Sequence, residues 1–171
     1  GGVYGQDEDP ELVAAAVPFA LKTMESLAVE EPEHVGLMNA LSSGFTQYGY
    51  AFIAQDAHTV EDDDFERAEK LTKRAQKLYR RARDYGLRAL SIQVEIATEQ
   101  LQEQLRSAPG TAAERFSADH VESLYWTAAS WGLMIAASNL EPAALGDIPA
   151  VQALARRAFA LDPTWRDGTL H

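Results

Sequence analysis

Residues 37–90 read LMNALSSGFTQYGYAFIAQDAHTVEDDDFERAEKLTKRAQKLYRRARDYGLRAL, and this stretch decides the fold class. Its first half sets aromatic residues (Phe45, Tyr48, Tyr50, Phe52) among very small ones (Ser42, Ser43, Gly44, Gly49, Ala51, Ala54). Leu41, Phe45, Tyr48 and Phe52 share one helical face, while Tyr50, Ile53, Ala54 and Ala57 share another. A helix that is apolar on both faces is surrounded by others, so residues 33–58 are expected to form a central helix. Gly44 and Gly49 cost helix propensity, which close approach of a neighbouring backbone would explain. The second half opens on an acidic connection over 59–64, its carboxylates well placed at a helix N-terminus. From residue 62 towards 105 the chain reads as a long helix. Ala68, Leu71, Ala75, Leu78, Ala82, Tyr85 and Ala89 form its buried stripe. Nine of the fifteen Lys and Arg lie between Arg67 and Arg88, which predicts a basic outer face. A break is expected after Leu90 if the helix does not run through, with Gly86 as a weak point.

Working outward, Asp9-Pro10-Glu11 combines a cap, a first-turn proline and a dipole-complementing acid. The helix it starts runs through Leu12, Val13, Ala16, Ala20, Met24 and Leu27, with a kink or restart expected at Pro18. Glu30-Glu31-Pro32 ends it. Residues 107–111 (SAPGT) read as a loop. Ser117 caps a fourth helix over 118–139, where Tyr125, Trp126, Trp131, Leu133 and Met134 again alternate with Ala, Ser and Gly. Glu141-Pro142 breaks it, and Asp147-Ile148-Pro149 starts a fifth helix over 150–161. Asp162-Pro163 ends that one. SLAVEEPEHVGLMNAL near the start and AFALDPTWRDGTLH at the end share a junction style of helix, acid, proline and new helix. This is the style of tetratricopeptide-like hairpins, with units longer and less regular than about 34 residues. The reading is an all-α antiparallel array, tetratricopeptide-like. It has a flexible leader over 1–9 and a single domain over 10–171, in which Trp165 onward begins an element the chain does not finish.

A chain of 171 residues can bury a substantial core. The absence of cysteine excludes disulfides, thiolate metal sites and a thiol nucleophile. A net charge of −11 argues against nucleic-acid binding, which draws on cationic surface. No apolar stretch is read as long enough to span a bilayer, and no signal-peptide pattern opens the chain. His34, His58, His120 and His171 are scattered without ligand spacing, so no metal is expected. The acidic run 61–64 lacks the pattern of a calcium loop. No nucleophile elbow, phosphate-binding loop or dinucleotide fingerprint occurs. Asp84, between Arg81 and Arg88, reads as an intrahelical ion-pair partner. No catalytic residue and no cofactor are expected.

The aromatic residues carry the remaining question. Tyr48, Tyr50, Phe52, Tyr79, Tyr85, Tyr125, Trp126 and Trp131 are each explained by core packing. Yet tyrosine and tryptophan bring polar groups that need partners, and several on neighbouring helices could line a cleft for an apolar or amphipathic ligand. Most basic residues of the third helix belong to its exposed face. Arg80 or Arg83, beside the tyrosines, is placed to anchor an anionic head group or an acidic partner protein. Tyr48, Tyr50, Phe52, Tyr79, Arg83, Tyr85, Tyr125, Trp126 and Trp131 are therefore the candidate cleft residues.

Several segments together carry a family resemblance: DPELV (9–13), PFALK (18–22), GFTQYGYAF (44–52), ARDYGLR (82–88), LYW (124–126) through Trp131-Gly132, 158–163 and GTLH (168–171). In this order the chain resembles the T component associated with TRAP transporters, the TatT family of periplasmic lipoproteins. The resemblance implies a tetratricopeptide-like fold able to form a homotrimer. It also implies association with a TRAP-type periplasmic solute-binding protein, and binding or passage of a hydrophobic solute. A lipid anchor on the precursor, the sole link to a membrane, is implied as well. The chain is expected to begin after the anchoring cysteine and to stop short of further helices. The rival reading is a generic tetratricopeptide-like protein–protein interaction scaffold with no small-molecule ligand.

Overall fold

The computed structural model describes residues 9–60 and 64–164. Every regular element among them is helical: α1 (Pro10–Glu30), α2 (Val35–Tyr48), a π-helical turn (Gly49–Ala54), α3 (Gln55–Val60), α4 (Phe65–Val94), α5 (Thr98–Ser107), α6 (Pro109–Glu114), a 3-10 turn (Ala118–His120), α7 (Val121–Ala136), α8 (Pro142–Leu145) and α9 (Ile148–Leu161). The all-α expectation holds. Residues 1–8 of the leader, the centre of the acidic connection (61–63) and the closing GTLH motif lie outside the described residues.

α4 is the axis of the fold. It packs most extensively against α7 on one side and α2 on the other, and α7 in turn packs on α9. The stripe foreseen for α4 faces inward, with Ala68, Ala75, Ala82 and Ala89 buried and Leu71, Leu78 and Tyr85 packed against the core. Tyr79, Arg83, Gly86, Leu87 and Leu90 are buried too, because the helix is covered on two sides. Lys73, Arg74, Lys77, Arg80 and Arg81 form the exposed face. The glycine of ARDYGLR makes the α4–α7 contact tight: a Cβ on Gly86 would meet Thr127 Oγ1 and lie 3.1 Å from Thr127 Cα.

Several expectations are corrected. α1 runs through Pro18 as one helix, the proline costing a single i→i−4 bond without ending the element. By length and composition α1 is long and apolar enough to cross a bilayer, contrary to the reading from sequence. Here it packs through Val13, Leu21 and Ala28 and leaves Leu12, Phe19, Leu27 and Val29 exposed. The central helix is not uniform, since its i→i+5 turn at Gly49–Ala54 separates α2 from α3. The long helix does break after Leu90 as expected, at Glu95 in the left-handed region at φ 60°, but Gly86 is not the weak point. Ile96 N–H then donates to the Ser91 carbonyl at 3.1 Å, closing the helix end as a Schellman turn does. Residues 109–114 are a helix where a loop was expected. Pro109 suits the first helical position, and Ala112 and Ala113 are buried. The fourth helix ends at Ala136, and Asn139 and Leu140 adopt positive φ of 56° and 61°.

Candidate functional site

Two clefts flank α4. The first lies between α1, α2 and α4, has a volume of about 540 Å³, and has Ala28, Val29, Pro32 and Met38 as its apolar surface. Its polar side is organised by Glu25. That residue sits one turn from Leu21 and Ala28 on the inward stripe of α1, an acid on an otherwise apolar face. Tyr85 Oη donates to Glu25 Oε2 at 2.6 Å, Lys22 Nζ donates to Oε1 at 3.0 Å, and Arg81 Nη1 lies 3.5 Å from Oε1. Burial pushes the Glu25 carboxyl up. The bonds from Tyr85 and Lys22 and the charges of Arg81 and Lys22 outweigh it and hold the group below the ordinary carboxylate range. Burial and the bond to Glu25 raise Tyr85 well above the usual phenol range, so it stays a donor.

The aromatic residues reinforce this site. Phe45 lies parallel to Tyr85 with centroids 6.2 Å apart, and Arg81 Cζ stands 5.3 Å from the Phe45 ring centre. Arg88 donates to the Pro32 carbonyl at 3.3 Å and to Glu33 at 3.0 Å, tying α4 to the α1–α2 junction. Asp84 therefore does not pair with Arg81 or Arg88, as the helical spacing suggested. Both arginines reach across to other elements, and Asp84 accepts from its neighbour Arg83 at 2.9 Å.

The second cleft opens at the other end of α4 and has a volume of about 420 Å³. The π-helical turn contributes Tyr50 and Ala54 to it, α3 contributes Ala57, and the end of α7 contributes Leu133 and Ala136. Tyr79 of α4 lines it while only 2% exposed. Burial, with Tyr50 nearby, pushes the Tyr79 hydroxyl up to about 12. Its ring packs over Gly49, where a Cβ would lie 2.9 Å from Tyr79 Cε1.

The nine candidate residues are thus divided. Tyr85 lines the first cleft, and Tyr50 and Tyr79 line the second. Tyr48 is buried with Phe52 packed 5.4 Å from it, centroid to centroid, and Tyr125 meets Trp126 edge-on at 4.8 Å. Arg83 is buried with its guanidinium 5.2 Å from the centre of Trp131, whose indole N–H donates to Asp147 at 3.3 Å. Asp147 also receives Arg106 at 3.0 Å, and this bond raises the Arg106 pKa. Arg80 lies on the exposed face. Glu25, Lys22 and Arg81 were missed from sequence, and the signal for Glu25 was its lone charge on the apolar stripe of α1. Two histidines have structural duties: His34 Nδ1 accepts from Leu37 N–H at 2.9 Å and His120 Nδ1 from Ser117 N–H at 3.1 Å. Among the described residues no three His, Asp or Glu converge as a metal site.

The segments that build these contacts, GFTQYGYAF on α2 and the π-helical turn and ARDYGLR on α4, are those on which the resemblance rests. The sequence model of the TRAP transporter T-component family matches residues 6–171. The chain belongs to the TRAP transporter T-component family. This T-component chain is also similar to an uncharacterized protein of Treponema pallidum (strain Nichols), with 28% identity over 182 residues. That alignment covers 98% of the T-component chain and 52% of the Treponema protein, so the chain spans about half the length of the curated relative it matches.

Proposed function

We propose that this chain is a non-enzymatic accessory component of a TRAP-type solute uptake system, working in the periplasm. In this reading it binds a TRAP-type solute-binding protein and holds a hydrophobic or amphipathic molecule in the α1–α2–α4 cleft. The observation that carries the reading is the cleft's construction. An apolar surface of Ala28, Val29 and Met38 adjoins a polar side where Tyr85 and Arg81 converge on Glu25. Such a division suits a ligand with an apolar body and a polar head. Lipid anchoring of the precursor and assembly into a homotrimer belong to the same proposal and rest on family membership.

Co-purification with the solute-binding protein of the same system tests the partner. Native mass spectrometry of that complex reads out ligand and stoichiometry together. A stable complex with retained small-molecule mass is the expected result. No interaction at tens of micromolar sinks the partner assignment.

A second reading is a tetratricopeptide-like scaffold that binds only protein. It is favoured by the burial of Tyr48, Trp126 and Trp131 and by the exposed basic face of α4. Under that reading the complex forms with no retained ligand.

A further inference from the structure

Tyr79 brings a hydroxyl to the second cleft that nothing in the described structure answers. The residue is 2% exposed and lines the cleft, yet among the described residues its Oη has no hydrogen-bond partner. The hydroxyl is not among the polar atoms sealed from solvent without a partner, so it opens to the cleft, where a bound molecule can reach it. Nor is the side chain free to turn away, because its ring edge lies against the backbone of Gly49, at the start of the π-helical turn.

Much of the wall is small, while Phe65 and Leu133 add apolar bulk and His58, Glu69, Thr72 and Asn139 bring polar groups. Ala54, Ala57, Ala68, Ala75 and Ala136 leave the space open, and Tyr50 stands at the mouth, 54% exposed. A volume of about 420 Å³ falls within the range of about 300–1,000 Å³ usual for small-molecule sites. Because burial keeps the Tyr79 phenol protonated well past neutral pH, it offers a proton and not a charge.

We propose that this second cleft is a binding site for a small apolar molecule bearing one carbonyl-type acceptor, which receives the hydrogen bond of Tyr79. The site is separate from the Glu25–Tyr85 cleft, and the proposal does not rest on the transport reading.

Acetophenone and ethylbenzene serve as matched probes, alike in shape but differing in the carbonyl. Each is titrated into the whole chain and followed by amide chemical shifts around Ala54, Ala57 and Ala136. Acetophenone is expected to bind in this cleft about fivefold more tightly than ethylbenzene, the ratio one net hydrogen bond confers. Tyr79→Phe keeps the ring over Gly49 and is expected to make the two probes equal. Ala136→Trp, a substitution at an exposed position of the lining, is expected to block both. Equal affinities in the unmodified protein, or shifts that map elsewhere or nowhere, overturn the proposal without reference to either variant. A preference for acetophenone that persists in Tyr79→Phe overturns it as well.

Discussion

The Glu25–Tyr85 bond joins residues 60 positions apart and sets a charged acceptor against a phenol donor at a partly shielded site. Its pH dependence has a definite shape. The Glu25 carboxyl is lowered in the folded state, so its contribution is present above the ordinary value of 4.5 and is lost as pH falls through the folded pKa. The Tyr85 phenol is raised in the folded state, so its contribution is present below the ordinary value of 10.0 and is lost as pH rises beyond it. Tyr85→Phe should therefore lower the melting temperature by a few degrees, most strongly between about pH 5 and 9, with the gap narrowing at both extremes. Thermal melts across the pH range check this, and a gap that is constant with pH rules out the pair as its source. The sequence showed Tyr85 as a candidate because aromatic residues stand out among alanines. It did not show the partner. No local spacing links α1 to α4, and Glu25 was masked by reading that stripe for its apolar members alone.

At the scale of the element, the break in the long helix illustrates what periodicity can and cannot place. The stripe from Ala68 to Ala89 marked α4 because burial on one side repeats every three or four residues. Where α4 ends is set by Glu95, which occupies a left-handed conformation usually taken by glycine or asparagine. A glutamate gives no stop signal, whereas Gly86 looked like one and proved to be a point of close contact with Thr127. Glu95→Gly removes the Cβ penalty at a position already left-handed, and should stabilise the chain by about 0.5–1 kcal/mol. Urea unfolding reads this directly, and a destabilised variant refutes the assignment of strain to that residue. The loop expected at 107–111 failed for a related reason. Pro and Gly punctuate a chain, but a proline in the first turn is also how helices begin.

At the scale of the molecule, Asp147 holds α5 and α7 to the start of α9 through Arg106 and Trp131. Its side chain is 10% exposed, against 46% for Arg106. Removing the acid leaves the fully buried indole N–H of Trp131 unpaired, whereas Arg106 can turn to water. Asp147→Ala should thus cost about 1–3 kcal/mol and exceed Arg106→Ala; equal losses in denaturant titrations would falsify this ranking. The all-α architecture was readable because helical periodicity is local. The clefts were not, since each is a gap between elements distant in sequence. The π-helical turn has one more consequence, for how relatives of different length align. It holds one residue more than an α-helical path needs, so a relative could lack one residue inside 49–54 and keep an unbroken helix. Such a deletion would leave everything after it, Ala57 included, facing as it does now, whereas a deletion from a regular helix would turn it by about 100° around the axis. A single-residue gap in mid-helix, ordinarily taken for an alignment error, would then mark relatives that have lost the π-turn and still keep α3 as a wall of the second cleft.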